Sequence, residues 1–147
     1  MSGTFVLTMI ATEGERSSDT AVGLIALHPQ DSALAGIGSY QEALVGTTDI
    51  ALESVGATRM GDLTATDPLA PGVAVYEQRV AGSATVFVRL GSASNARGPA
   101  VFDAGHTTLY VRRIAEDGFA GGWASSAGST YPMQEARGYF CAVRVRS

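Results

Sequence analysis

Apolar residues alternate with polar or small residues in short runs along most of the chain. The first run, Thr4–Ile10, reads Thr-Phe-Val-Leu-Thr-Met-Ile, and similar runs rich in Val, Thr, Tyr and Phe recur to the end of the chain. This pattern is typical of β-strands, whose successive side chains point to opposite faces of a sheet. Clusters of Gly, Asp, Ser and Pro separate the runs. The pattern predicts strands near residues 3–11, 21–28, 36–46, 48–55, 72–80, 84–91, 106–115, 118–126 and 137–146.

Helical periodicity is weak throughout. The best candidate is Asp31–Ala35, with Asp31 as N-cap, and the glycines at 36 and 38 limit it to about one turn. The sequence therefore predicts an all-β chain. Long connections between the predicted strands are candidates for function, since loops often carry binding residues; they span residues 12–20, 57–72, 91–105 and 125–136.

Two predicted hairpins set the strand faces. Asp117-Gly118 is a strong turn signal, because type I′ turns need residues that tolerate positive φ. With the turn there, or one residue earlier, Arg112 or Tyr110 lies opposite Trp123, so these three residues share a face. A turn at residues 81–82 pairs residue 75 with residue 88 and residue 77 with residue 86. Most strands then carry one aliphatic face and one face of aromatic residues and Arg.

Eight or nine consecutive strands joined by hairpins favour one architecture. We expect a single antiparallel up-and-down β-barrel of 8–9 strands over residues 1–147, because closure leaves no sheet edge unpaired. A β-sandwich is the main competitor. The chain has 147 residues, 46% of them hydrophobic, which is enough for one core.

Charge and composition exclude several classes. The net charge is −4, only 16% of residues are charged, and the pI is near 5.0, which excludes disorder and argues against binding nucleic acid. No apolar stretch is long enough for a membrane-spanning helix. All ten basic residues are Arg and Asn occurs once, a bias of GC-rich genomes that indicates a bacterial source. The start of the chain predicts a cytoplasmic protein, or a secreted or periplasmic one if a signal peptide has been removed.

Catalytic and metal-binding signatures are sparse. The single cysteine, Cys141, lies in an apolar run and is predicted to be a buried, inert thiol. His28 and His106 lack the spacing of a metal site; Asp103 near His106 could orient a general base, but a turn is the preferred interpretation. No nucleophile elbow or phosphate loop is present. We predict no catalytic residue, metal or cofactor, and a barrel-type cyclase or isomerase, with Glu77 as its acid or base, stays a distant alternative.

The hairpin meander resembles the calycin superfamily, meaning lipocalins and their small bacterial relatives. The resemblance lies in Tyr110-Val111-Arg112-Arg113, in Gly118–Trp123, and in the closing segment Gly138–Val145. At the position where lipocalins usually carry Trp on the first strand, this chain has Phe5. The resemblance implies a barrel whose mouth or lumen takes a small apolar molecule.

One cluster of aromatic residues and Arg is the candidate binding site. If its strand face points into the lumen, it forms a cup for a small hydrophobic, aromatic or anionic molecule, through stacking and a bidentate carboxylate contact. The candidate ligand-binding residues are Tyr76, Phe87, Arg89, Tyr110, Arg112 and Trp123.

The opposite orientation stays open. In it the aliphatic face fills the barrel, the aromatic and Arg face lies outside, and Glu77 and Arg113 are the odd polar residues inside. Burying two Arg without partners costs several kcal/mol, which favours this alternative. An exterior of that kind is typical of a homo-oligomer or another protein–protein assembly. The directions of Tyr110 and Trp123 distinguish the two.

Overall fold

Eight antiparallel strands make up most of the described chain. The structure, a computed structural model, describes residues 1–14, 16–29, 40–57, 73–80, 83–90, 106–126 and 135–146. The all-β class and the antiparallel arrangement are confirmed. The strands are β1 (Gly3–Glu13), β2 (Thr20–Pro29), β3 (Tyr40–Thr48), β4 (Val73–Val80), β5 (Ser83–Leu90), β6 (His106–Ala115), β7 (Gly118–Ser126) and β8 (Glu135–Arg144).

The strands are hydrogen-bonded in sequence order. Each pairs antiparallel with its neighbours in the chain, and β8 returns to pair with β1, so the pairing forms a closed barrel. We call the end where β1 finishes and β2 begins the upper end. The connections β1–β2, β3–β4, β5–β6 and β7–β8 all join strands at this end. At the lower end, β4–β5 and β6–β7 are joined by only two residues each.

The strand predicted at 48–55 is wrong. β3 ends at Thr48, and the chain turns into a single 3₁₀ turn over Leu52–Val55, which ends at Gly56 with a left-handed φ of 71°. Burial explains the difference, because the backbone of Ile50 lies directly over Gly23 of β2, where any side chain would collide with it. Ile50, Leu52 and Val55 are fully buried at the upper end. The predicted helical turn at 31–35 lies outside the described residues.

On the strands whose side chains the structure describes, alternate residues point into the barrel interior. On β1 these residues are Phe5, Leu7, Met9 and Ala11, whereas the intervening side chains are more exposed. Phe119 of β7 contacts Phe5 edge-to-face, with ring centroids 5.1 Å apart, and Phe140 at 6.0 Å. Such aromatic pairs add to the hydrophobic stabilisation of the core. Among the described residues, other large buried side chains are Ile25, Leu27, Ile50, Leu52, Val55, Phe87, Val88, Leu90, Leu109 and Trp123.

A β-bulge in β6 changes the register of the β6–β7 hairpin. Near the turn Ala115 pairs with Gly118, which makes residues 116–117 the loop, but beyond the shift between Val111 and Arg113 every partner moves by one residue. A β-bulge places an extra residue on one strand and re-aims its neighbours. Gly121 is the residue opposite the bulge, where a Cβ would collide with the carbonyl oxygen of Tyr110. The β4–β5 hairpin, by contrast, has the predicted register throughout.

Candidate functional site

Trp123 points into the barrel. It pairs with Leu109 on β6 and Gly138 on β8, and only 2% of it is exposed. Its indole Nε1 donates a hydrogen bond to the carbonyl oxygen of Ile10, 3.2 Å away on β1. The prediction that Trp123 shares a face with Tyr110 and Arg112 is therefore wrong. The bulge is the reason, because without it residue 110 would lie opposite residue 123.

Two of the remaining candidate residues, Tyr110 and Arg112, lie on exposed positions of β6. Tyr110 pairs with Gly122, not with Trp123, and is 44% exposed, while Arg112 is also exposed. Phe87 pairs with Tyr110 yet is buried. In register, Tyr76 pairs with Phe87, and Arg89 with Thr108. The side chains of Tyr76 and Arg89 lie outside the described part of the structure, as do those of Glu77 and His106. The ligand-binding role of the six residues stays a prediction.

The described interior is tightly packed. Leu7, Met9, Ile25, Val88 and Leu109 are all 0% exposed, so none of them borders a space that a water molecule could occupy. A binding cavity in a protein is typically several hundred cubic ångströms in volume. These five side chains are core. The lumen cup was predicted from other residues and stays a prediction.

One polar pair interrupts this apolar interior. The hydroxyl of Thr107 donates to that of Ser125 at 2.9 Å, and both residues are buried. Thr107 pairs with Leu90 in register, and Ser125 with Ala136, so the pair lies at the upper end. Buried hydroxyl groups are stable only when hydrogen-bonded, a condition that this pair meets.

Two further predictions about single side chains are wrong. Cys141 is exposed, not buried, because the interior positions of β8 are Phe140 and Ala142. Arg113 is exposed, because the bulge pairs it with Ala120 on the outer side of β7. Both strands carry apolar residues on each face near these positions, so alternation alone does not identify the inner one.

Other chemistry on the described residues is limited. His28 is exposed at the end of β2, with Nδ1 3.1 Å from the carbonyl oxygen of Pro29. The described ranges contain no cluster of three or more His, Cys, Asp or Glu side chains that could hold a metal ion. In the same ranges, no helix has the length and apolar character needed to cross a bilayer.

Apolar side chains cover the outside of β2, β1 and β8. Three rows cross these strands in register, namely Leu24–Val6–Val143, Val22–Thr8–Cys141 and Thr20–Ile10–Tyr139. Val22 is 61% exposed and Val143 is 53% exposed. We call the outer apolar face the set Val6, Thr8, Ile10, Val22, Leu24, Cys141 and Val143. It contains no charged residue.

Sequence reasoning missed this face, although a signal was present. On β1 and β2 both sets of alternate positions are apolar, as in Phe5-Val6-Leu7 and Leu24-Ile25. Strands that are buried on both faces show such near-continuous apolar runs, whereas strands with one solvated face alternate clearly. The double-sided apolar character of β1 and β2 was the sequence signal of the outer apolar face.

Charged residues border this face. Beside β2, the exposed Asp49 carboxylate accepts a hydrogen bond from the backbone N–H of Leu24 at 2.6 Å. Glu13 and Arg137 are partners in the β1–β8 register at the upper end. At the lower end Arg144 donates from Nη1 to the carbonyl oxygen of Ser2 at 2.8 Å and from Nε to that of Glu116 at 3.1 Å. Arg146 follows two residues later and is exposed. The face is therefore an uncharged surface bounded by charges.

Comparison of the chain with protein-family models, with curated proteins and with solved structures found no match.

Proposed function

We propose that this chain is a non-catalytic assembly subunit that binds a second copy of itself through the outer apolar face. The carrying observation is that the face combines exposed valine, leucine and isoleucine side chains with a complete lack of charge. Contiguous exposed apolar surface, in contrast to scattered single apolar residues, is typical of contact sites. Depletion of charge is also the mark of an interface centre.

A second copy suits this face because of its symmetry. In a two-fold dimer the same patch meets itself, so any charge near the centre would face a like charge. Thr8 and Cys141, partners at the centre, are uncharged. Glu13 lies five residues above Thr8, and Arg146 lies five residues below Cys141. With a two-fold axis in the plane of the contact and perpendicular to the strands, the Glu13 end of one copy meets the Arg146 end of the other.

The size of the face sets the expected affinity. Three strands by five residues cover about 14 Å by 17 Å, or about 240 Å², at ordinary strand spacing and rise. A standard interface buries about 800 Å² on each partner. The face can thus be the apolar centre of a dimer, with Thr20, Tyr139 and the terminal charges as its rim. We expect a weak dimer with a dissociation constant in the micromolar range or above.

Sedimentation velocity over a wide range of protein concentration tests this proposal. We expect the native chain to shift from monomer to dimer as concentration rises. Val22→Arg and Val143→Arg should abolish the shift, because each introduces an unpaired charge into the contact. Ile114→Arg is the matched control, since Ile114 is equally exposed but lies on the β6–β7 hairpin away from the face. A chain that stays monomeric throughout, or a control that abolishes the dimer equally, would overturn the proposal.

Small-molecule binding is the second candidate, within a lipocalin- or calycin-like up-and-down barrel. Sequential strand pairing supports that architecture, and the Thr107–Ser125 pair favours a polar contact at the upper end, where four connections meet. A few polar groups in an apolar enclosure are typical of such sites. Titration of Trp123 emission with apolar ligands tests this second candidate function.

A further inference from the structure

Two exposed tyrosines lie on either side of a glycine on the outer surface. Tyr110 of β6 pairs with Gly122 of β7, and Gly122 pairs with Tyr139 of β8. Tyr139 is 66% exposed and Tyr110 is 44% exposed. Because Gly122 has no side chain, the three residues form a slot with aromatic walls and a backbone floor. We call it the tyrosine slot.

The width of the slot fits one flat ring. The walls stand on strands two apart, so their Cα atoms are about 10 Å from each other. Stacked aromatic rings lie about 4.5–7 Å apart between centroids, which leaves room for a single ring between the two walls. On the side away from Gly122, Tyr110 pairs in register with Phe87 of β5, which is buried.

The β6 bulge brings positive charge to the slot. It sends both Arg112 and Arg113 to the exposed outer side. An Nη atom of Arg112 lies 3.9 Å from the position that a Cβ on Gly122 would occupy, so the guanidinium reaches the slot floor. Within the described part of the chain, neither guanidinium has a hydrogen-bond or ion-pair partner. An uncommitted guanidinium beside aromatic walls is suited to a carboxylate on a planar molecule.

We propose that the tyrosine slot binds a planar aromatic carboxylate, with the ring between Tyr110 and Tyr139 and the carboxylate on Arg112. The inference does not rest on dimer formation. Tyr110, Arg112 and Gly122 lie outside the outer apolar face, and Tyr139, which also belongs to the rim of the proposed dimer, is exposed in the single chain. The proposed site uses Tyr110 and Arg112, which the sequence pattern assigned to the lumen, on the exterior of the barrel. Bulges are common next to functional sites because they re-aim side chains in this way.

The test uses 2-naphthoate as the probe and 2-naphthylmethanol as its uncharged counterpart. Binding is followed by probe fluorescence anisotropy and by amide shifts in the ¹H–¹⁵N spectrum of the full chain. We expect saturable naphthoate binding that shifts the amides of Gly122 and Tyr139. A charge-assisted contact predicts that Arg112→Gln weakens naphthoate binding about tenfold or more and leaves naphthylmethanol binding unchanged.

Gly122→Val tests the floor of the slot. A Cβ there meets its nearest atom, the carbonyl oxygen of Gly138, at an ordinary 3.5 Å, so the fold accepts a side chain while the slot is filled. We expect it to weaken both probes. Arg146→Gln removes an exposed Arg elsewhere and is the matched control, which should bind naphthoate normally.

Two results would overturn the inference. One is the absence of saturable naphthoate binding to the native chain. The other is unchanged binding in both Arg112→Gln and Gly122→Val, with amide shifts elsewhere. Trp123 emission in each variant reports an intact core, and repeating the titration in Val22→Arg separates failure of the slot from failure of the dimer.

Discussion

The indole of Trp123 lies over Gly138 and reaches past β8 to donate its hydrogen bond to Ile10 on β1. One side chain thus connects three neighbouring strands. The contact depends on Gly138, because a Cβ at that position would lie 2.7 Å from the indole nitrogen and would also collide with the Ile10 carbonyl oxygen.

This relationship predicts that Gly138→Ala destabilises the barrel. We expect a loss of about 1–3 kcal/mol in the free energy of unfolding, because the added methyl overpacks the site against backbone atoms. Urea denaturation measures the loss. Gly122→Ala, one strand away with ordinary contacts for its Cβ, should change stability by less than about 1 kcal/mol. Equal losses in both variants would contradict the argument.

The fluorescence of Trp123 distinguishes a packed interior from a ligand site. As the only Trp, it is expected to emit at short wavelength and to resist acrylamide quenching, because it is buried. With the surrounding core closed to water, we expect no saturable change on titration with fatty acids, retinoids or haem. A saturable response to one of them would instead support the small-molecule hypothesis. A red-shifted, readily quenched Trp123 would contradict the inward orientation itself.

Much of the fold was predictable, because the alternation of apolar and polar residues along the chain determines that it is all-β. Runs such as Thr4–Ile10 and the turn at 81–82 identify strands and the β4–β5 register from local chemistry alone. The orientation of Trp123 was not predictable from such patterns. It depends on one extra residue in β6, and the bulge that accommodates it brings the carbonyl oxygen of Tyr110 to the place where a Cβ of residue 121 would lie.

The candidate site was harder to predict for a related reason. β8 carries Tyr139, Cys141 and Val143 outside and Phe140 and Ala142 inside, so both faces look like core. The segment at 48–55 has strand-like composition, but the backbone of Ile50 folds over Gly23, and both Ile50 and Leu52 are fully buried. In both places nonlocal packing, which a sequence pattern does not contain, decides the outcome.

Arg144 connects three segments at the lower end of the barrel. Its guanidinium lies 4.7 Å from the centre of the Phe5 ring while it donates to the carbonyl oxygens of Ser2 and Glu116. We expect Arg144→Met to lower the free energy of unfolding by about 1–3 kcal/mol through loss of these contacts. Arg144→Lys should recover only part of the loss, because an ammonium group lacks the planar fork of guanidinium. Thermal unfolding of both variants measures this, with Arg146→Gln as the neutral control; full recovery by Lys would show that charge alone matters.

The Thr107–Ser125 pair predicts non-additive mutational effects. Thr107→Val and Ser125→Ala each remove one hydroxyl and leave the other buried without this partner, which costs about 1–3 kcal/mol. We expect the double variant to be less destabilised than the sum of the two, since the hydrogen bond between the two hydroxyls can be lost only once. A double-mutant cycle in urea gives the coupling energy. Strictly additive losses would mean that the hydrogen bond contributes nothing.

Cys141 offers a chemical reporter for the outer apolar face. Its thiol is exposed between Thr8 and Ala120, at the centre of the surface that we assign to the dimer. At low protein concentration we expect it to react with Ellman's reagent as readily as an unfolded thiol. As concentration rises, burial in the dimer should slow the reaction in the native chain. In Val22→Arg, the reaction rate should not depend on protein concentration, because that variant stays monomeric. A thiol that is slow at every dilution would place it in a closed environment, and one that is equally fast at every concentration in both chains would show that no second copy covers the face.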